Sequence, residues 1–565
     1  MKTSNKIFVC AVLILGLLYP CWIQAKDDQG HHDAVIHALN PRAVPPPVKL
    51  VPLSSRLDNL NGKVIYVVNE PGAEAELFLS RVVASLPGYG SGVDVRYRQK
   101  AYQYWTDDPA LWNEIAANAD AFIYGVAGHG SGSSWGAHWV AGLEKRGIPG
   151  VYIVGEPFLQ DVLGTAEREG MPYMRTVLVH HPCRDIPIGD MPPIMQSIVN
   201  ALTIPLTAEE QQTGIWQPPA PPRIAIKGSL AEVQKYFYEQ GWTDGLPIIP
   251  PTEENIAEML KGTSHAPDEI VAYPHPEKYT ATVEKIAINA VMAGCKPEYM
   301  PVLMALIEAF SNGPYTASIR STNSFSFMSF VNGPIRNEIG MNAGIGAMSP
   351  GNIANASIGR FLHLAMYNLG GGREGVNLMG SQGNTSNYSF TFAENEERSP
   401  WEPFHVEQGF GANESVVSVL SGGWSHGGNS QRLVDVVKYI SSFEAPFGVV
   451  VMLDPLVAAN YVKQGYTTKQ ALEEYLWSNS TMTLGEMRSR PYWSMIRMMA
   501  QGIDQYPGYG AHWWPESIIT DPPETIASIY PRSQIFVLVV GGETNAYVTS
   551  WRMSYLSMAS VDKWR

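Results

Sequence analysis

Apolar residues in the first half of the chain come in short unbroken runs. Between the runs, apolar positions recur at spacings of three and four. The runs Lys63–Val68 (KVIYVV), Ala121–Ala127, Gly150–Val154 and Thr176–Val179, together with the alternating Val93–Arg98, predict five strands. The segments Ala73–Leu86, Pro109–Ala119, Ser134–Arg146, Phe158–Glu169 and Ile194–Leu202 predict the helices that alternate with them. Val- and Ile-rich strands without polar alternation suit a parallel sheet covered on both faces. Strand–helix alternation then predicts an α/β fold with a doubly wound parallel sheet.

The pattern changes after a proline-rich stretch, Thr213–Gly228, read as a linker because proline favours extended backbone. Ser229 and Glu232 form a capping-box pattern ahead of a helix. Thr252 caps a predicted helix that runs to Leu260, and Thr280–Met292 and Pro297–Phe310 are amphipathic. GVVVMLDP (Gly448–Pro455) and IFVLVVGGETNAY (Ile535–Tyr547) predict two buried strands. The organisation expected is therefore a leader over 1–25, an extension over 26–50, the doubly wound domain over 51–212, the linker over 213–228, and a larger α/β or α+β domain over 229–565. No internal repeat is visible.

A chain of 565 residues, 45% hydrophobic and 16% charged, has material for two or three packed cores. Its net charge of −14 and lack of a Lys/Arg run argue against a nucleic-acid partner. Lys2 and Lys6 precede the apolar run Ile7–Leu18, with Ala25 before a polar stretch. This has signal-peptide dimensions and predicts a secreted or periplasmic protein; an uncleaved anchor is the alternative. No later segment is apolar enough to span a bilayer. Past the leader only Cys183 and Cys295 remain, so there is no cysteine cluster for a metal.

Candidate chemistry gathers where strands end, since open α/β sheets bind ligands at the carboxyl ends of their strands. Asn69 and Glu70 follow the first strand, Gly128–Ser133 the third, and His180–Cys183 the fifth. The Gly128–Ser133 loop leads into a helix N-terminus, which attracts anions and developing negative charge. It has neither the Walker spacing nor G-x-G-x-x-G.

The stretch Gly125–Val154, with LEKRGIP at Leu143–Pro149, resembles the UGSC family, which takes its name from a selenocysteine-or-cysteine, Gly, Ser, Cys motif. The resemblance extends over Pro52–Asn69 and Gly170–Pro182. It continues in the second half through Gly241–Thr252, Val291–Val302, Asn332–Gly344 and Phe392–Phe410. It implies a scaffold of thiol or selenol oxidoreductases, distantly similar to the selenoprotein subunits of amino-acid reductases. Here the motif is His129-Gly130-Ser131-Gly132. Both chalcogens are gone, so dithiol exchange at this loop is excluded.

His129 at a helix N-terminus is expected to be neutral, as a general base or a metal ligand. Ser131, His180 and His181 are further catalytic candidates. Asn69, Gly130, Ser133 and Ser134 are candidate ligand contacts. His129, His138 and His180 form a candidate site for Zn or Cu; a degenerate, inactive loop is the other possibility. In the second half, Asn332, Arg336 and Asn342 lie in a glycine-rich stretch able to approach a ligand. Glu394 and His405 are a candidate acid–base pair with apolar neighbours. The expected function is an exported enzyme, a hydrolase, lyase or metal-dependent enzyme acting on a small polar or anionic molecule. A small-ligand binding protein, or an oxidoreductase working from the second domain, are the alternatives.

Overall fold

The computed structural model describes residues 35–71, 75–101, 103–429, 431–443, 447–504, 506 and 508–565. The leader, 1–25, lies outside them. Five strands, β1 (Val64–Asn69), β2 (Asp94–Gln99), β3 (Ala121–Ala127), β4 (Gly150–Gly155) and β5 (Thr176–Val179), form a wholly parallel sheet in the order β2-β1-β3-β4-β5. Every residue of β3 and β4 is buried, as their unbroken apolar sequences require.

Both faces are covered. Tyr66, Val68, Phe122, Tyr124 and Tyr152 pack under α2 (Pro109–Asn118), α3 (Gly130–Glu144) and α4 (Leu159–Arg168). Ile65, Val67, Ile123, Val151 and Ile153 pack under α1 (Glu76–Ser85) and α5 (Met191–Thr203). The strand order reverses between β1 and β3, so the crevice beyond their carboxyl ends is the position where such sheets take ligands.

The second domain is built on a six-stranded mixed sheet. Its strands are β6 (Ser326–Asn332), β7 (Thr391–Ala393), β8 (Val416–Gly428), β9 (Val449–Leu453), β10 (Ile535–Val539) and β11 (Val548–Ser560), in the order β7-β6-β8-β11-β9-β10. The outer pairs are parallel and the inner ones antiparallel. The order is symmetric about the β8–β11 pair, a repeat of topology that the sequence does not display. Just past β7 at one edge, Asn395 N–H donates to the Val539 carbonyl of β10 at 2.8 Å. Met328, Phe330, Phe392, Leu420, Met452 and Leu538 fill one face. Helices Val283–Ala293, Met300–Asn312 and Ile353–Asn368 cover part of the other.

The expected linker is not a free connection. Gly214–Trp216 pairs with Val48–Leu50, and Ile224–Gly228 pairs with Ile36–Leu39, both antiparallel. Ala38, Leu39 and Ala43 of the expected extension are buried in the second domain's core. The chain thus crosses between the domains twice. A buried ion network fastens them: Arg320 of the second domain lies 3.3 Å from Asp161, donates to Thr165 at 3.0 Å, and pairs with Glu277. Arg168 pairs with the same Glu277 at 2.8 Å.

Candidate functional site

The site starts from how α3 begins. The Gly-Ser-Gly-Ser stretch expected as loop is its first turn, and His129 is its N-cap, in extended backbone. The His129 carbonyl accepts from Ser133 N–H at 2.9 Å and from Ser133 Oγ at 2.7 Å. The imidazole folds back, and its Nδ1 accepts the Gly132 N–H at 3.0 Å. Ser, Thr, Asp and Asn are the usual caps, so a histidine here needs a local reason. Gly132 supplies it. A Cβ at 132 would lie 2.3 Å from His129 Cε1, 2.7 Å from Nε2 and 2.8 Å from Glu70 Oε1. The ring can cap α3 only because residue 132 has no side chain.

This contact fixes the chemistry of the ring. A backbone N–H can only donate, so Nδ1 keeps its lone pair and the neutral ring carries its proton on Nε2. Burial, then repulsion from His181, pushes the pKa down to about 4. The neutral form therefore dominates at neutral pH, as the sequence suggested. Its role differs from the one expected. With Nδ1 occupied and Nε2 protonated, the ring has no free lone pair to act as a base. It is a hydrogen-bond donor, through Nε2.

His129 faces a cavity of about 350 Å³ between the domains. Ser131 lines it too, sharing a 2.7 Å hydrogen bond with Tyr104 Oη. The Tyr104 ring meets the His129 ring edge-on, 4.5 Å between centroids. Burial pushes the Tyr104 pKa up, which keeps its hydroxyl neutral. The other wall comes from the second domain, including Ser318, Phe325, Tyr492, Tyr506 and Arg552. Among the described residues no Asp or Glu lines the cavity. A second cavity between the domains, about 320 Å³, is lined by Arg168, Glu277 and Asn377. These three are bonded to one another through Glu277.

The remaining candidates of the first domain have other work. Gly130 packs against Arg320, whose carbonyl would be 2.1 Å from a Cβ there. Ser133 braces the His129 carbonyl. Ser134 donates to Asp161 at 2.8 Å, in the interdomain network. The Asn69 amide donates to Gln99 at 2.6 Å across the sheet end. His180 is exposed, 3.9 Å from Glu156, and His181 stands edge-on to Phe158. His138 is held by Glu169 at 2.6 Å and by the rings of Trp135 and Trp139. Among the described residues no three His, Cys, Asp or Glu side chains gather as metal ligands. The Zn or Cu site expected from His129, His138 and His180 is therefore not assembled, because His138 is committed to Glu169 and His180 points to solvent. Cys183 and Cys295 are free, buried in separate cores.

Asn332, Arg336, Glu394 and His405 of the second domain do converge, but on one another. Glu394 is fully buried. It pairs with Lys469 at 2.8 Å and accepts from Asn332 at 2.6 Å and from Phe404 N–H at 2.8 Å. Arg336 pairs with Glu396 at 2.8 Å and Glu397 at 3.1 Å. His405 is fully buried, 4.0 Å from Glu396, with neither ring nitrogen hydrogen-bonded. Asn342 spends its amide on Ile345 O and Gly344 N–H in its own loop.

Two residues were given no role by the sequence reading, Glu70, named there only as following the first strand, and Arg552. Glu70 is buried behind Gly132 and Gly136, with Tyr152 Oη donating to Oε2 at 3.1 Å and Oε1 without a partner. Burial pushes its pKa well up. Its signal was available, an acid directly after a buried central strand. Arg552 lies in β11, whose Ser-rich alternation hid a cavity wall.

The model of the UGSC family matches residues 37–207, a span that contains all five strands of the parallel sheet and the His129 turn. Neither a curated protein nor a solved structure matches the chain. The match stops before the second domain, where the resemblance rests on sequence stretches alone. Over residues 37–207, which include the doubly wound domain, this chain matches the UGSC family.

Proposed function

We propose that the chain is an enzyme of the hydrolase or lyase type that acts on a small anionic molecule in the cavity between its domains. In this reading His129 is the catalytic group. Its Nε2–H donates to a substrate oxygen on which negative charge grows, and the Ser131–Tyr104 hydroxyl pair lies beside it. The observation that carries the reading is the Gly132 N–H bond to Nδ1, which leaves Nε2–H as the donor of a residue that lines the cavity. A preorganised donor of this kind stabilises an oxyanion without reorganisation. The site lies where strand order reverses, as in other open α/β sheets. Export is part of the proposal and is supported by the leader-like residues 1–25.

Conversion of small carboxylic acids and their esters, followed by NMR, tests it. His129→Asn keeps a capping oxygen for Gly132 but withdraws the Nε2 donor. The expected loss is about 10²–10³-fold in kcat. Unchanged turnover in this variant would overturn the reading. A second reading, a binding protein, is favoured by the lack of a lining carboxylate among the described residues. It is distinguished by saturable binding with no conversion of any bound compound.

A further inference from the structure

Arg552 stands where the β8–β11 register slips, between Gly422 and Trp424. Its guanidinium lies over the rings of Phe325, at 5.4 Å, and Trp424, at 5.1 Å, and reaches the Tyr492 hydroxyl. Burial lowers its pKa, and among the described residues no carboxylate pairs with it. That sets it apart from Arg168, Arg320 and Arg336, each held by a glutamate. A desolvated cation without an anion is costly, and a guanidinium offers a planar fork matched to a carboxylate.

Several aromatic rings stand around this cation in the cavity. Tyr104, Trp105, Phe447, Tyr492 and Tyr506 line it, and Trp105 stacks on Tyr506 with centroids 6.4 Å apart. Its volume of about 350 Å³ is at the small end of ligand pockets, which run from about 300 to 1,000 Å³. Flat rings offset-stack or meet edge-on, so such walls select a planar body. We propose that the cavity takes a small aromatic carboxylate, its carboxylate on Arg552, its ring between the aromatic walls, and its reacting end towards His129. This deepens the reading above and rests on the cavity being the working site.

Titration calorimetry of the full chain with sodium benzoate, benzamide and sodium acetate tests it. Benzoate is expected to bind saturably. Benzamide, which keeps the ring but not the charge, and acetate, which keeps the charge but not the ring, should each bind at least about tenfold more weakly. Arg552→Gln should weaken benzoate by at least about tenfold and leave benzamide unchanged. No saturable benzoate binding, equal binding of benzoate and either probe, or Arg552→Gln binding benzoate like the parent would each overturn the proposal. If Arg552→Gln does not fold, the comparison of the three probes on the parent decides alone. Failure here with His129-dependent turnover intact would remove the substrate class and leave the catalytic reading standing.

Discussion

Two polar clusters, one in each domain, look alike in the sequence: a histidine among small or acidic residues next to apolar runs. In the first, His129 has one nitrogen bonded into the fold, the other without a partner of that kind, and lines a cavity. In the second, Glu394 has both oxygens taken, by Lys469, Asn332 and the Phe404 N–H. Burial is common to both and does not separate structure from chemistry. What separates them is whether a polar group has valence left over on an open surface. A buried group with every partner inside the protein is a fastening.

The comparison gives its largest effect at the fastening. Lys469→Met leaves Glu394 and Glu407 buried without their cation, and should cost about 3–5 kcal/mol of stability. Activity per folded molecule should be unchanged. Denaturant unfolding alongside an activity assay checks both. A large drop in activity of the folded fraction would move chemistry to the second domain.

The pairing of His129 with Gly132 gives the next effect. Gly132→Ala places a methyl where the imidazole lies, and overpacking of this kind costs about 1–3 kcal/mol. In a His129→Ala background most of that cost should disappear. A double-mutant cycle in which the two changes add would break the link between the histidine and the missing side chain. By itself, His129→Ala removes a cap and should cost only about 0.5–2 kcal/mol, less than Lys469→Met.

Acid should affect the two clusters in opposite directions. His129 titrates near 4 in the fold against an ordinary 6.5, so the unfolded chain holds more protons between these values. Its contribution to stability is complete above about pH 6.5 and is lost as pH falls to about 4. Glu407, beside Lys469, is pushed up to about 7 by burial, against the ordinary glutamate range. Its contribution is complete below about pH 4.5 and is lost as pH rises through 7. Parent-minus-variant unfolding free energies for His129→Asn and Glu407→Gln, measured from pH 4.5 to 7.5, should slope with opposite signs. Slopes of the same sign would mean that one environment is wrongly described.

The smallest effect is expected at the cysteines. Cys183→Ser and Cys295→Ser should leave any activity intact, because the two thiols lie in separate cores and burial raises both pKa values, that of Cys295 to about 12. Loss of activity with Cys183→Ser would return the loop to thiol chemistry.

The parallel sheet was legible because buried parallel strands carry an unmistakable run of apolar residues; Ala121–Ala127 and Thr176–Val179 match residue for residue. The two long antiparallel strands, β8 and β11, were not. VVSVLSGGWSHGG and VTSWRMSYLSMAS mix Ser, Gly and Arg with apolar residues because their two faces meet different surroundings. The start of α3 was misread for a related reason. Gly130 and Gly132 signal a loop by composition, yet each is needed for close approach, to Arg320 and to the His129 ring. His129 itself was legible from its place after a central strand. Its protonation was not, since that depends on one backbone N–H three residues away.

The proposed chemistry depends on the state of that ring, and nitrogen-15 NMR of histidine-labelled protein, assigned through His129→Asn, measures it directly. The expected result is a neutral His129 with its proton on Nε2 and bare Nδ1 across pH 8 to 5, titrating near 4. A proton on Nδ1, or a midpoint near the ordinary 6.5, would contradict it.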